Sequence, residues 1–478
     1  MQAFRTLTVA LLVAMATPAI AQQSLQQQVE ARLAQAGLGV RFGLVVADDS
    51  GRELVAISPD GRFMPASNTK LFTTAAAFAT LPGLDRPDTA GGASVMLENE
   101  RGRAPDVVIQ GFGDARLSSA ADCTTDCLAA LADSVAARTR RVRNIVGDDS
   151  FYPDQRWSPG MSWNNIPSWS GTGISALTID DNELPMRVTP AAAGQPPALD
   201  VLPYYQIENR AVTVASGTTD LEISRMPSSF NLVLTGTIVA GAPPERIRLA
   251  VDDPAHFAAW RLRTLLEARG VHVGGNVWSR HRPVGPDTAP APTPGLERQV
   301  LLHLTPPPLA EDLRVINKQS QNLHAELMLR RLGRQTGTGA IADGLTIVRN
   351  LLAQAGLRRT DYDFSDGSGM STYNRVTPRG VVTLLRWAAT QPWGAAWRAT
   401  FPIGGVDGTL ARRFRGTALE GRLFAKTGSL NATSALSGYL VARSGRTLTF
   451  SFYANDVPDG VSATAAMDAA LLLVEEQN

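Results

Sequence analysis

Two spacings of hydrophobic residues, one helical and one typical of strands, occur together at both ends of the chain. Residues 24–36 have helical spacing that stops at Gly37, and residues 40–47 and 53–57 form two strand patterns around an Asp-Asp-Ser-Gly turn. Near the other end, residues 436–442 and 447–454 predict a second hairpin and residues 461–476 a helix. We therefore predict one sheet with strands from both ends of the chain and helices on its faces.

The middle of the chain has a different pattern of apolar residues. From about residue 90 to 278, short apolar runs separated by Gly and Pro predict mostly β structure, with helices near 127–138 and 254–269. Eight prolines between residues 283 and 308 predict a stiff connector. Four helical patterns follow, at 309–315, 322–332, 340–355 and 378–390.

Together these patterns predict an α/β (α+β) fold with a discontinuous domain, residues 22–84 and 285–478. A large, mostly β insertion occupies residues 85–284. We expect it to hold two small domains, the second nested at about 180–254. A chain of 478 residues is long enough for this number of domains.

The first residues resemble an export signal. A short positive region up to Arg5 precedes an apolar core at 7–16, and Ala19-Ile20-Ala21 fits a small-x-small cleavage site. We expect residues 1–21 to be a cleaved signal peptide and the mature protein to be exported to the periplasm. The residue directly after the cleavage site is not a cysteine, so we expect no lipid anchor. No later segment offers an apolar run of roughly 20 residues, so we expect no transmembrane segment.

Charge and cysteine content exclude several classes of function. The net charge is +1 and no basic run is interleaved with aromatic residues, which argues against a nucleic-acid partner. Cys123 and Cys127 are the two cysteines of the chain, and in an oxidising compartment a local disulfide is favoured over free thiols. The five histidines are scattered, so we expect no metal site and no cofactor.

Lysine is rare in this chain. Of the 45 Lys and Arg residues only three are lysine, at positions 70, 318 and 426. Ser67 and Lys70 lie three residues apart at the predicted start of a helix, so their side chains share one face at the positive end of the helix dipole. A desolvated lysine can act as a neutral base, whereas arginine stays protonated. The alternatives are an N-capping serine beside a surface lysine, and an arginine bias that reflects base composition.

The other two lysines belong to two further motifs. Lys318 lies just before Ser320-Gln321-Asn322, and Lys426 begins Lys-Thr-Gly-Ser, followed by the C-terminal hairpin. Ser-x-x-Lys, Ser-x-Asn and Lys-Thr-Gly in this order form the signature of penicillin-recognising serine enzymes. One motif could arise by chance, but three in order that contain all three lysines favour a functional site over the alternatives above.

The chain resembles the D-alanyl-D-alanine carboxypeptidase/endopeptidase family of low-molecular-mass class C penicillin-binding proteins (peptidase family S13, penicillin-binding protein 4 type). The interval between Ser67 and Ser320 is far longer than in small β-lactamases, and this family has two extra domains inserted after the nucleophile helix. Further stretches of the chain look like the family, among them 110–114, 147–150, 175–178, 366–371 and 404–410. The resemblance implies a penicillin-recognising serine enzyme domain (DD-peptidase/β-lactamase-like) carrying the insertion.

The resemblance also implies roles for the motif residues. Ser67 would attack the carbonyl of the penultimate D-alanine and Lys70 would take its proton. Ser320, helped by Lys426, would pass a proton to the leaving amine, and Asn322 would bind the substrate backbone. The strand beside which the substrate lies would be lined by Thr427, Gly428 and Ser429. On this strand, Lys426 and the side chains of Thr427 and Ser429 would hold the terminal carboxylate.

The oxyanion hole would be the backbone N–H groups of Ser67 and Ser429. Lys318 would support the site, either catalytically or through a structural ion pair.

Substrates and inhibitors follow from the same resemblance. The expected partners are peptidoglycan stem peptides and cross-links, with β-lactam antibiotics as inhibitors. Some family members carry an aspartate near Trp163-Asn164-Asn165 that recognises the amine of diaminopimelate, and here asparagines stand at that place. The loop 366–371 is either a glycine turn or part of the site.

Two alternative functions stay open. A β-lactamase or esterase could use the same site, and a non-catalytic wall-binding scaffold could keep the fold. A long-lived penicillin adduct would distinguish the DD-peptidase from both.

Overall fold

A computed structural model describes residues 23–285 and 296–478, and the predicted signal peptide lies outside these residues. The elements before the predicted insertion are α1 (Leu25–Leu33), β1 (Arg41–Ala47), β2 (Glu53–Ile57) and α2 (Thr69–Thr80). A short 3₁₀ turn, Ala66–Asn68, leads directly into α2. The helix predicted behind Ser67 is therefore present.

The predicted insertion, residues 85–284, carries two helices among many strands, and one further strand, Leu296–His303, follows it. In chain order the elements are β3 (Ala93–Glu100), β4 (Asp106–Gly111), α3 (Leu128–Arg138), β5 (Arg141–Val142), β6 (Ile145–Pro153), β7 (Glu183–Thr189), β8 (Ala198–Val201), β9 (Gln206–Asn209), β10 (Val212–Val214), β11 (Asp220–Ser224), β12 (Asn231–Val239), β13 (Glu245–Ala250), α4 (Pro254–Ala268), β14 (His272–Val273), β15 (Val277–Arg282) and β16 (Leu296–His303). The elements that follow are α5 (Leu309–Lys318), α6 (Asn322–Arg334), α7 (Ile341–Gln354), β17 (Tyr362–Asp363), β18 (Arg375–Val376), α8 (Pro378–Ala389), α9 (Gly394–Ala399), β19 (Leu423–Ser429), β20 (Ser434–Val441), β21 (Thr447–Asn455) and α10 (Ala463–Glu476).

Both ends of the chain contribute to one five-stranded sheet, as predicted. Its order is β19-β20-β21-β1-β2, and all neighbouring strands are antiparallel. Alternate residues of each strand face opposite sides, so Leu436 and Leu440 pack with α10 while Ala435 and Tyr439 pack on the side of α2 and α8. The sheet is thus covered by helices on both faces, and β19 forms one edge.

The strands of the predicted insertion form sheets of their own. The largest has the order β15-β6-β4-β3-β16, and residues of α3 and α4 pack into the apolar core beside it. Strands β7 to β13 pair only among themselves within the described residues, in one sheet of three strands and one of four. This grouping lies close to the predicted nested domain at about 180–254, and the division of the chain into domains stays a prediction.

The prediction of a stiff connector between residues 283 and 308 was wrong over part of its length. Residues 296–303 form β16, which pairs antiparallel with β3 through Met96 and Val300, at the edge of the insertion's largest sheet. The prolines lie on either side of this stretch, which is itself free of proline and can therefore complete a ladder of backbone hydrogen bonds. Residues 286–295 lie outside the described part of the chain. Residues 296–303, which the prediction assigned to the discontinuous domain, thus pair with a strand of the predicted insertion.

Two smaller findings concern predictions from composition. Cys123 and Cys127 are joined by a disulfide, which confirms the expected local bridge. Within residues 23–285 and 296–478, none of the helices has the length and apolar character needed to cross a membrane.

Candidate active site

The first part of the site is the turn that leads into α2. Ala66 has a left-handed backbone at φ 46°, and Ser67 follows on the 3₁₀ turn. Leu71, Phe72 and Ala75 are fully buried, so packing fixes the start of α2 in place. Residues three apart share a helix face, and Lys70 Nζ lies 2.9 Å from Ser67 Oγ. The predicted pair is therefore formed, with a buried lysine and a half-buried serine.

The second part lies between α5 and α6. Ser320 has a left-handed backbone at φ 63°, which turns the chain between the two helices, and its Oγ accepts a hydrogen bond of 2.9 Å from Lys426 Nζ. Asn322 begins α6, and its Oδ1 lies 2.6 Å from Lys70 Nζ. Its Nδ2 donates to the Ser170 carbonyl at 2.9 Å, which fixes the orientation of the amide. Because Ser170 belongs to the predicted insertion, the insertion contributes to the site.

The third part is the edge strand β19. Lys426 is fully buried, and its carbonyl accepts a hydrogen bond of 2.9 Å from Asn68 Nδ2, next to Ser67. A Cβ added at Gly428 would lie 2.8 Å from the Pro65 carbonyl and 3.1 Å from the Ser67 nitrogen. Only glycine therefore allows β19 to approach the nucleophile turn this closely. Ser429 follows at the exposed end of the strand.

The partners of Lys70 determine where its lone pair points. Nζ has three neighbours: the Asn322 Oδ1, the Ser368 carbonyl at 2.6 Å and the Ser67 hydroxyl. The first two are acceptors only, so each takes an N–H of the amine. A neutral lysine has two N–H bonds and one lone pair. The lone pair of a neutral Lys70 is therefore directed at the Ser67 hydroxyl, in the arrangement of a general base and its nucleophile.

Burial makes the neutral form of Lys70 accessible. Burial lowers the pKa of Lys70 to about 7, while the carboxylates of Asp366 and Glu326 act in the opposite direction. Burial, reinforced by the charge of Lys70, also lowers the pKa of Lys426 well below its ordinary value. The charge of Lys70 therefore disfavours protonation of the second buried amine, Lys426.

The loop 366–371 lines the site. The Ser368 carbonyl contacts Lys70 directly, and a Cβ on Gly369, which has φ +92°, would lie 1.9 Å from the Ala66 carbonyl. Two interpretations of this loop were left open, and they are compatible: the loop is a glycine turn, and it lines the site.

Two buried acids that support this loop were missed. Asp366 accepts hydrogen bonds from the backbone N–H groups of Gly369 and Ser371, and Glu326 from those of Gly367 and Ser368. Glu326 follows Asn322 by four residues, so it lies on the same face of α6. That spacing is the signal in the sequence that could have identified it.

Lys318 makes an ion pair away from the nucleophile. Its Nζ lies 2.5 Å from Asp407 Oδ2, and Asp407 belongs to the stretch 404–410. Thr409 of the same stretch shares a hydrogen bond of 2.7 Å with Thr427 on β19. Lys318 therefore ties α5 to a segment that contacts β19, which favours the structural ion pair.

The segment that would recognise a charged third stem residue is uncharged here. Trp163–Asn165 form a 3₁₀ turn on the loop that carries Ser170, and the Trp163 side chain is exposed. Asn164 Oδ1 accepts a hydrogen bond from Ser162 Oγ at 2.6 Å. The turn offers amide groups and an aromatic ring in place of a carboxylate.

This arrangement suits acyl transfer through a serine. A serine with a lysine amine beside it, a second serine with its own buried lysine, and an edge strand are joined by hydrogen bonds through Lys70, Asn68 and Lys426. Among the described residues, no group of three or more His, Cys, Asp and Glu side chains is placed to hold a metal ion.

The fold and the site together define a penicillin-recognising serine enzyme. The chain belongs to the D-Ala-D-Ala carboxypeptidase 3 (S13) family, whose family model matches residues 25–475.

Known relatives span nearly the whole chain. A D-alanyl-D-alanine carboxypeptidase from an Actinomadura species is 34% identical, covering 96% of this chain and 87% of the relative. Carboxypeptidase DacB of Mycolicibacterium smegmatis is 28% identical over 96% of this chain and 85% of its own. The family assignment confirms the resemblance stated from the motifs.

Solved structures show the same fold. The crystal structure of penicillin binding protein 4 from Haemophilus influenzae covers 94% of this chain and 98% of its own, with a TM-score of 0.76 and 21% identity. A second structure of that protein, complexed with a novel β-lactam, has a TM-score of 0.70 at the same identity and coverage.

Proposed function

We propose that this protein is a serine D-Ala-D-Ala carboxypeptidase that works through an acyl-enzyme on Ser67 and also cleaves peptide cross-links of peptidoglycan. The observation that carries the proposal is the direction of Lys70: its two acceptor partners leave only Ser67 for the lone pair. Membership of the S13 family supports the carboxypeptidase activity. Endopeptidase activity follows from the same chemistry, because a cross-link presents the same D-Ala carbonyl with a different leaving amine.

In the proposed acylation step, Ser67 Oγ attacks the carbonyl carbon of the penultimate D-alanine while Lys70 Nζ takes the hydroxyl proton. The backbone N–H groups of Ser67 and Ser429 stabilise the negative charge that develops on the carbonyl oxygen. Collapse of this tetrahedral intermediate breaks the C–N bond, and Ser320, hydrogen-bonded to Lys426, gives a proton to the departing amine. The proton that Lys70 took from Ser67 then replaces the one that Ser320 gave, so that both groups return to their starting state. Water then hydrolyses the ester and restores the Ser67 hydroxyl.

In this proposal the substrate lies extended along β19. An edge strand can add one more strand through its backbone groups, and Asn322 lies across the cleft to bind the substrate backbone. The side chains of Thr427 and Ser429 together with Lys426 hold the terminal carboxylate. Lys318 supports this wall through Asp407, whose neighbour Thr409 contacts Thr427.

The geometry favours a peptidase over a β-lactamase. A fast β-lactamase needs a base that activates water against the penicillin adduct. The two buried carboxylates near Lys70 both accept hydrogen bonds from backbone N–H groups of the loop 366–371. Neither is free to activate water, so we expect a long-lived adduct.

Export is part of the proposal. The pattern of residues 1–21 and the expected peptidoglycan substrate support a cleaved signal peptide and a periplasmic location. The N-terminal residue of the protein recovered from a cell envelope fraction tests this directly: Gln22 supports cleavage, and Met1 contradicts it.

We expect the rate of acylation by penicillin to increase with pH through about pH 7. A protonated Lys70 cannot accept the serine proton, and burial lowers the pKa of Lys70 to about 7, so the active form of the enzyme appears above that value. The second-order rate constant for acylation by a fluorescent penicillin, measured from about pH 5 to 9, gives the curve. A flat profile over this interval would exclude Lys70 as the base.

Digestion of purified peptidoglycan separates the two proposed activities. We expect the wild-type protein to release free D-alanine from pentapeptides and to convert cross-linked dimers to monomers, while Ser67→Ala does neither. Chromatography of the muropeptides gives both products from one sample. Release of D-alanine with dimers left intact would reject the endopeptidase activity and keep the carboxypeptidase.

A further inference from the structure

Glu326 is a buried acid for which the mechanism above has no use. It lies on α6 one turn after Asn322 and is only 5% exposed. Its Oε1 accepts hydrogen bonds from the backbone N–H groups of Gly367 and Ser368, both at 2.9 Å. On its other side, Oε2 lies 3.5 Å from Arg330 Nη1. Burial and the neighbouring Asp366 raise the pKa of this carboxyl group, whereas Arg330 and the two N–H groups oppose that shift. A carboxyl group that accepts on one oxygen and faces a guanidinium with the other is placed as an ionised carboxylate.

A short chain of bonds joins this carboxylate to Lys70. The N–H of Ser368 donates to Glu326, and the carbonyl of the same residue accepts from Lys70 Nζ at 2.6 Å. One peptide residue therefore separates the acid from the amine. The loop has little freedom to adjust, because the Gly367 carbonyl also accepts a hydrogen bond of 2.7 Å from Thr73 on α2.

We propose that Glu326 is a positioning residue for Lys70: it fixes the Ser368 carbonyl that orients the amine, and it places a negative charge one residue away from that amine. The inference rests on the proposed role of Lys70 as the base for Ser67. A base must be neutral to accept a proton and also basic enough to hold it, and burial alone favours only the first property.

The ionisable groups near Lys70 come from three elements. Glu326 lies on α6 with Arg330 beside it, Asp366 lies on the loop, and Lys426 lies on β19. The two acids favour the protonated form of Lys70, and the charge of Lys70 in turn disfavours protonation of Lys426. Arg330 stays hydrogen-bonded to the Gln155 carbonyl at 2.8 Å, so it keeps a partner when Glu326 is changed.

Glu326→Gln tests the charge with little change in shape. The amide oxygen can still accept both N–H bonds, while the negative charge is lost. We expect the rise of the acylation rate with pH to move to lower pH by about one unit, because an opposite charge next to an ionisable group shifts its pKa by this order. The rate at the plateau should decrease about tenfold, since a less basic amine is a weaker proton acceptor.

Matched variants separate this effect from a loss of structure. Glu475 on α10 is also a buried glutamate beside an arginine, with Arg422 Nη1 3.4 Å from its Oε1. Glu475→Gln should change the melting temperature without moving the pH profile. Glu326→Ala also removes the acceptor for the two N–H groups, and we expect it to lose about 100-fold or more at the plateau as the loop is released.

The results distinguish failure of the inference from failure of the proposed function. If wild-type acylation increases through about pH 7 and Glu326→Gln gives the same midpoint, the positioning role of the Glu326 charge is rejected and the role of Lys70 stands. If the wild type forms no penicillin adduct, the proposed function itself is rejected. A midpoint displaced to lower pH in Glu326→Gln, with Glu475→Gln unchanged, is the result that supports the inference.

Discussion

Ser67→Ala is expected to abolish both peptidase activity and penicillin acylation. The hydroxyl of Ser67 is the atom that forms the ester, so we expect turnover to decrease by at least about 10⁴-fold, the scale seen when a serine nucleophile is removed from a hydrolase. The fold should persist, because Ser67 is half-buried and its hydroxyl contacts only Lys70 in the described structure. Steady-state hydrolysis of a D-Ala-D-Ala peptide measures the loss.

The control for this variant is a serine elsewhere on a helix. Ser134 on α3 donates to the Leu131 carbonyl at 2.8 Å, remote from the site, and Ser134→Ala should retain full activity. Ser320→Ala is the informative comparison, because Ser320 also has a buried lysine beside it. We expect it to form the penicillin adduct more slowly but still on Ser67. Full activity in Ser67→Ala would overturn the mechanism.

Lys70→Arg is expected to lose at least about 10³-fold in the rate of acylation. Removal of a general base costs about this much, and arginine cannot become neutral in a protein. The change is also unfavourable sterically, because the Lys70 side chain is fully buried. Lys70→Met provides a smaller substitution if the arginine variant does not fold. Stopped-flow acylation by a fluorescent penicillin and a melting curve distinguish lost chemistry from lost structure.

Lys318→Arg is the matched control. Arginine can keep the ion pair with Asp407, so we expect acylation within about threefold of wild type. The two lysine variants thus separate a base from a structural cation in the same protein. If Lys70→Arg is labelled by penicillin at the wild-type rate, Lys70 is not the base.

The sequence predicted the elements that have strong local signals. Helices predicted at 322–332 and 378–390 are α6, Asn322–Arg334, and α8, Pro378–Ala389. In α8, Thr377 caps the helix and Pro378 occupies its first position, so its start is encoded locally. The C-terminal hairpin was identified from two apolar runs on either side of Ser444-Gly445. Such features need no knowledge of distant residues.

Two neighbouring strands of the insertion's largest sheet, β3 and β16, were harder to predict. In β3, residues 93–98 are all buried, so the alternation expected of a strand is absent. In β16, the prolines on either side dominated the interpretation and concealed a strand between them. Strand β16 gains its hydrogen bonds from β3 across about 200 residues of chain, and no local pattern reports such a pairing.

The residues of the site also fall into those that the sequence identified and those that it did not. The three motifs identified Ser67, Lys70, Ser320, Asn322 and Lys426, because each is a short pattern with its own chemistry. Glu326 and Asp366 were missed because each looks like an ordinary polar residue, one on a helix and one in a glycine turn. Their function depends on the approach of the loop 366–371 to α2 and α6, which only the folded structure shows.

The site contains two serine–lysine pairs, and this makes the identity of the nucleophile the central claim. Ser67 and Ser320 each lie 2.9 Å from a buried amine. Ser67 differs from Ser320 in two ways. It lies at the start of α2, and the two acceptors that bind Lys70 leave the lone pair of that amine directed at Ser67.

Mass spectrometry of the protein after reaction with penicillin, followed by proteolysis, tests this claim most directly. We predict one intact penicilloyl group on the peptide that contains Ser67, stable during the time needed for digestion. An adduct on the peptide that contains Ser320, or the absence of any adduct, would contradict the account.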